Sequence, residues 1–286
     1  MSLFLVIIIG IGWFLSYYYQ SPNILYFAVI FSLGMNFVSY WYSDKIVLGL
    51  SRAKPLEHDE NPELYHIVEN LCITAGLPMP KIYVLPEMAP NAFATGRNPK
   101  NAVIAVTQGL LQKLNKTELE GVIGHELSHI GNHDILLQTV IVVLVGLVAI
   151  VSDMFLRARL FGMGRSRDDS REGGNVGAVL MIIGLVFMIL SPIIAQLIQL
   201  AVSRKREFLA DSSGALLTRY PEGLANALEK ISSDQTPMRF ASNATAHLFI
   251  ASPFTGKQKT NWLVKLFSTH PPIEERIKIL REMNIE

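Results

Sequence analysis

Long apolar runs alternate with segments of mixed polarity along this chain. Residues 3–19 (LFLVIIIGIGWFLSYYY) and 24–42 (ILYFAVIFSLGMNFVSYWY) carry no charge and are separated only by Gln20, Ser21, Pro22 and Asn23. Each approaches the ~20 residues that a helix needs to cross a ~30 Å hydrocarbon core. Residues 135–156 and 177–202 form a second pair, joined by the polar loop LRARLFGMGRSRDDSREGGNVG. A soluble core absorbs one such run but not four, so four transmembrane helices are predicted. An even number of spans precedes each polar segment, which puts both segments and the N-terminus on one side. The predicted division is a transmembrane hairpin at 1–42, a first domain part at 43–134, a second hairpin at 135–202 and a second domain part at 203–286.

Within the polar segments, Asn61 and Pro62 read as a helix start and Gly76 as its end. KIYVLPE (81–87), NAFATG (91–96) and NAVIAVT (101–107) are short β-type runs, and GRNPKN supplies a turn between the last two. A small antiparallel sheet is expected. Thr117 with Glu120 matches a T-x-x-E capping box that would start the helix carrying GVIGHELSHI. After it, Gly131 alone stands before the next apolar run, at a cost of only ~1 kcal/mol, so the helix is expected to run on into lipid. The fold class is an α-helical membrane protein with a mainly α (α+β) domain that carries a small β-sheet.

Composition agrees, with 50% apolar and 17% charged residues and a positive mean hydropathy. That is richer in apolar residues and poorer in charge than a soluble domain. The formal net charge of +1 and the lack of a basic, aromatic-rich cluster argue against nucleic acid as a partner. Cys72, the only cysteine, sits in the helical pattern ELYHIVENLCITAG and reads as a buried thiol. The first run has no basic leader, and SYYYQSP does not resemble a small-residue cleavage site, so it reads as a retained anchor. Tyr17, Tyr18, Tyr19, Tyr40, Trp41 and Tyr42 mark run ends as interfacial aromatics do. Lys45, Arg52, Lys54, Lys116, Arg204, Lys205, Arg206 and Arg219 outnumber Arg157, Arg159, Arg165, Arg167 and Arg171 of the opposite loop, which favours a cytoplasmic domain.

The chemistry is concentrated in His125-Glu126-Leu127-Ser128-His129. Positions four apart share a helix face, so both imidazoles can reach one zinc ion while Glu126 projects toward a bound water. By chance, H-E-x-x-H would occur in a chain of this composition at roughly one per cent. His133 continues the series, but lies ~12 Å along the axis from His125, too far for an ion with ~2 Å bonds. The longer pattern H-E-x-x-H-x-x-G-x-x-H fails, because Asn132 and Ile135 occupy its glycine and histidine positions. A third ligand is expected from SRKREFLADSSGALL, which follows the fourth run. His129 precedes its run by ~9 Å of helix and Glu207 follows its own by ~8 Å, so two helices leaving a membrane together would present them at one height. Asp211, a turn beyond Glu207, is placed to hold a ligand imidazole N–H.

HELSHIGNHD, REFLAD, NAFATG and STHPPIEERI occur here in the order found in the HtpX-type membrane zinc metalloproteases, a heat-shock endopeptidase family related to the CAAX prenyl proteases, and the chain resembles that family over essentially its whole length. The resemblance implies a zincin-like domain with one Zn2+ per chain, held by His125, His129 and Glu207. It implies quality control of misfolded or damaged membrane proteins and unfolded polypeptides, at the lipid bilayer of the cytoplasmic (inner) membrane, with the catalytic domain facing the cytoplasm. Glu126 is then the proton acceptor, His270 the candidate oxyanion donor, and Arg276 its support or a structural anchor. NAFATG reads as a strand that docks substrate through Asn91, Ala92, Phe93 and Ala94. Prenyl-protein processing and a non-catalytic zinc-binding scaffold are the alternatives. The sequence leaves oligomeric state open.

Overall fold

A computed structural model describes residues 2–143, 204–241, 245–254 and 271–283. The apolar runs beyond Val143, the loop between them and His270 lie outside the described residues. The chain divides into two compact units, Met1–Trp41 with Val143–Leu197 and Tyr42–Val142 with Ile198–Glu286.

In the first unit, helices α1 (Ser2–Tyr18) and α2 (Pro22–Trp41) form a hairpin. Gln20 turns the chain at φ 52°, and Pro22 opens α2 where its missing N–H costs nothing. Small residues line the seam: a Cβ on Gly12 would strike Ala28, and Ser32 is fully buried. Trp13, Phe14, Tyr26, Phe27, Ile30 and Phe37 point outward and are exposed. Among the described residues, α2 is the one helix long and apolar enough to cross a bilayer.

The second unit begins with α3 (Ser43–Leu50) and the two-residue strand β1 (Lys54–Pro55). Helix α4 (Pro62–Ala75) starts where expected. Asn61 Oδ1 accepts the Leu64 N–H at 3.0 Å, Pro62 takes the first helical position, and Gly76 closes the helix at φ 65°. Its inner face buries Leu64, Ile67, Val68, Leu71 and Cys72, and burial pushes the thiol up to about 11.

Strands β2 (Lys81–Leu85), β3 (Ala92–Gly96) and β4 (Ala102–Thr107) complete a four-stranded sheet of order β1-β2-β4-β3. The sheet is mixed rather than antiparallel. β3 and β4 form the expected antiparallel hairpin, but β2 pairs with β4 in parallel. The reason lies in β4, AVIAVT, which is buried along its whole length and takes the centre, where both sheet faces are covered. Residues 86–91 therefore carry the chain past β4 to its far side.

Helix α5 (Gln108–Lys113) leads into α6 (Lys116–Gly131), which bears the histidine motif. Its cap is Asn115, not Thr117. Asn115 Oδ1 accepts the Glu118 N–H at 3.0 Å, while Glu118 Oε2 accepts the Asn115 N–H at 2.9 Å. Asparagine is the stronger cap, and Thr117 donates to it instead. Nor does α6 continue into the apolar run. It stops at Gly131, passes through Asn132 and a left-handed His133 (φ 59°), and a new helix, α7 (Asp134–Val143), begins.

Helices α8 (Arg204–Thr218), α9 (Pro221–Ser233) and α10 (Ile273–Glu282) follow. α6 packs against α4, α8, α9 and β3, and buries Ile123, Leu127 and Ile130, each worth about 1.5–3 kcal/mol. Glycines set its closest approaches: a Cβ on Gly214 would lie 2.7 Å from the His125 backbone nitrogen, and one on Gly124 would lie 3.1 Å from the Gly214 carbonyl oxygen. The motif helix thus lies inside the protein, where each polar side chain needs a partner.

Candidate metal centre

His125 and His129 stack one turn apart on α6, their rings 4.7 Å between centroids and nearly perpendicular. Their Nε2 atoms are 3.2 Å apart. α8 brings Glu207 to the same place, with Oε2 3.9 Å from His125 Nε2 and Oε1 3.5 Å from His129 Nε2. His125, Glu126, His129, Glu207, Asp211 and Arg276 are all at most 4% exposed.

A carboxylate stands behind each ring. His125 Nδ1 lies 2.9 Å from Asp211 Oδ1, and His129 Nδ1 lies 3.2 Å from Asp134 Oδ2. Arg276 grips Asp211 with both arms of its guanidinium, Nε to Oδ2 at 2.8 Å and Nη2 to Oδ1 at 2.7 Å, while Nη1 donates to the Ile250 carbonyl at 2.9 Å. A buried arginine is tolerable only in such company. With a hydrogen on each Nδ1, as the adjoining carboxylates favour, both Nε2 lone pairs face the Glu207 carboxylate. Three acceptors then share one small space, an arrangement that a cation satisfies.

Zinc fits this donor set. Four ligands at 2.0–2.2 Å in a tetrahedron stand about 3.4 Å from one another; here the two Nε2 atoms are 3.2 Å apart, each has one of the two Glu207 oxygens at 3.5 or 3.9 Å, and one donor atom from each residue lies within 4.8 Å of the other two. Two imidazoles and one carboxylate also match the three-ligand pattern of zinc hydrolases, which leaves a position for water.

The electrostatics separate the roles. Burial brings His125 down to about 4, against the pull of Asp211, so the ring is neutral and ready to ligate. For His129, burial also works downward, but Asp134, Glu207 and Glu126 outweigh it and raise the pKa. Asp211 would rise on burial alone, yet the charge and hydrogen bonds of Arg276, with those of His125, hold it down to about 2. Glu126 stands apart. Burial pushes its carboxyl up to about 7, reinforced by Glu207 and opposed by His129, Arg276 and the Ala94 backbone N–H. A carboxyl in that range can both take and give a proton near neutrality.

The structure brings His125, Glu126, His129, Glu207, Asp211 and Arg276 together; Arg276 serves Asp211, and His270 is outside the described residues. His133 is exposed on the turn after α6. Ala92, Phe93 and Ala94 lie along β3, the outer strand beside α6, and Asn91 directly precedes it, all four buried. Part of that edge is occupied by the chain itself. The Ala92 carbonyl accepts the Ile250 N–H at 3.0 Å, and the Asn91 side-chain amide pairs with Ala251, donating to O at 2.9 Å and accepting from N at 3.3 Å. Phe249 packs edge-on against Phe93, 5.2 Å between centroids. Residues 249–251 therefore hold the place at Asn91 and Ala92 that the sequence suggests for a substrate, and Ala94 is the part of the strand that faces Glu126.

Asp134 and Arg206 are not among the site residues that the sequence offers, where Arg206 figures only as a basic residue flanking a span. Arg206 Nη1 lies 3.4 Å from Asp134 Oδ1. The signal for Asp134 was G-N-H-D itself, a run of turn-tolerant residues ending in an acid.

Residues 58–284 match the sequence profile of peptidase family M48. Several relatives are each described as "Protease HtpX homolog". One from Syntrophobacter fumaroxidans is 52% identical over 259 residues, 90% of this chain and 88% of the relative. Another from Thermococcus sibiricus is 53% identical over 262 residues, 90% and 86% respectively. A third from Thermoanaerobacter pseudethanolicus is 47% identical over 284 residues, 99% and 92%. The crystal structure of S. mikatae Ste24p shares the fold at a TM-score of 0.53 and 16% identity, over 98% of this chain and 62% of that one.

Proposed function

This chain belongs to peptidase family M48 and is a metalloprotease, and from that premise we propose that it cuts polypeptides at one zinc ion held by His125, His129 and Glu207. The observation that carries the reading is the meeting of three buried acceptor side chains, from two helices, beside a carboxyl poised near neutrality. Zinc bound there would supply Lewis acidity, lowering the pKa of a coordinated water toward ~7 and polarising the scissile carbonyl. Glu126 takes a proton from the attacking water on its carboxylate oxygen and passes it to the departing amine nitrogen. Asp211 and Arg276 keep His125 presenting Nε2. β3 receives the peptide main chain beside Ala94, and His270 donates to the developing oxyanion.

Chelation tests the metal. Treatment of the detergent-purified protein with 1,10-phenanthroline is expected to stop casein cleavage, and about one equivalent of zinc should restore it. Cleavage that persists in demetallated protein would overturn the reading. A prenylated C-terminal peptide offered beside casein separates general proteolysis from prenyl-protein processing.

The membrane arrangement belongs to the same proposal. α1, α2 and the runs 135–156 and 177–202 make four spans of the cytoplasmic membrane, with 43–134 and 203–286 on the cytoplasmic side as one catalytic domain. Substrates are then misfolded membrane proteins and unfolded chains met near the lipid surface. A reporter joined after residue 286 that works only in the cytoplasm should be active, and activity of an export-dependent reporter there would reverse the topology.

A further inference from the structure

We propose that Asp134, clamped by Arg206, is a positioning residue that holds His129 as an Nε2 zinc ligand, and that the turn at His133 is what delivers it. The inference rests on the zinc reading above.

On an uninterrupted helix, residues 129 and 134 would stand about 140° apart around the axis, and an aspartate five positions on would face away from the ring. The helix is interrupted here. α6 ends at Gly131, His133 takes the left-handed conformation that glycine or asparagine adopts more readily, and α7 restarts at Asp134. The carboxylate returns toward α6 and lies 3.2 Å from His129 Nδ1.

Asp134 is the first residue of α7, one place past the cap position that His133 occupies, and its carboxylate is turned to other partners. Among the described residues its partners are His129 at Oδ2 and Arg206 at Oδ1, and no backbone N–H of α7 is one of them. It is also 5% exposed, too deep for a solvated surface acid.

Arg206 immediately precedes Glu207. The first turn of α8 therefore supplies the third acceptor and, from the adjoining position, the guanidinium that faces the carboxylate behind the second. The same order recurs on the other ring, where Arg276 holds Asp211 and Asp211 lies 2.9 Å from His125 Nδ1. The two arms differ in cover, since the Arg276 side chain is fully buried and that of Arg206 is 30% exposed.

The test uses the full chain in detergent and reads metal binding apart from activity. Asp134→Asn is expected to weaken zinc 10- to 100-fold in competition with a chromophoric chelator and to shift the d–d band of the cobalt-substituted protein, with the melting of the metal-free protein kept. Arg206→Gln should weaken zinc in the same direction by less than about tenfold, through its more exposed contact. His133→Gly should hold zinc as wild type does, because glycine takes the same turn. The proposal is overturned if Asp134→Asn binds zinc within about twofold of wild type with an unchanged cobalt band. It is equally overturned if that variant loses cooperative melting before metal is added, or if His133→Gly loses zinc. A wild-type protein that binds no zinc would sink the metalloprotease reading itself, whereas unchanged binding by Asp134→Asn in an otherwise zinc-dependent protease sinks only this inference.

Discussion

Replacing Glu126 by glutamine is expected to abolish peptide cleavage while zinc stays bound. Glutamine has nearly the same shape and can still accept a hydrogen bond, but it cannot carry the proton that the reaction moves. The three acceptor side chains are untouched, so metal content should remain near one equivalent. Loss of a general base costs 10²- to 10⁴-fold in kcat, or about 3–5 kcal/mol of barrier. Burial is what makes this residue suited to the role: the carboxyl is 2% exposed and pushed up to about 7. Casein cleavage by wild type and Glu126→Gln, with zinc measured on the same samples, decides the matter. A variant that cuts as fast as wild type removes Glu126 from the reaction.

The second large effect is expected at Glu207. Truncation to alanine takes away the one ligand contributed by α8 and leaves two imidazoles to hold the ion. Zinc in the purified protein should fall well below one equivalent, and cleavage with it. Glu207 also lies 3.8 Å from Arg276 Nη1, so its loss removes a negative charge from beside a buried guanidinium. Breaking a buried ion pair costs about 3–5 kcal/mol. Here the bidentate grip of Asp211 on Arg276 persists, so the loss should fall toward the lower end. Far-UV circular dichroism of the metal-free variant separates metal loss from unfolding. Full zinc occupancy in a folded Glu207→Ala would refute the ligand set.

What could be read in advance follows the range of the forces involved. The pairing of His125 with His129 is a property of one helix turn and is visible in the letters, as is the start of α4 at Asn61 and Pro62. Glu207 required a second argument, from distance along two apolar runs. The parallel pairing of β2 with β4 was not visible, because strand order depends on which run can be covered on both faces rather than on neighbours in sequence. The break after Gly131 is hidden from the sequence for a similar reason. Glycine, asparagine and histidine are each tolerated in a helix, and only the folded protein rewards leaving it there, by bringing Asp134 against His129. Arg276 meets Asp211 across 65 positions of chain, and no local pattern announces that contact. The same holds for residues 249–251, whose pairing with Asn91 and Ala92 rests on main-chain groups that every sequence possesses.

At the crossing of α6 and α8, Gly124 meets Gly214 with no side chain from either between the two backbones. The gap separating the paired imidazoles from the third acceptor is thus governed by main-chain thickness, a quantity that does not vary with sequence. Repacking of larger residues elsewhere in the interior can loosen or tighten the protein, yet it has little purchase on the span an ion must bridge.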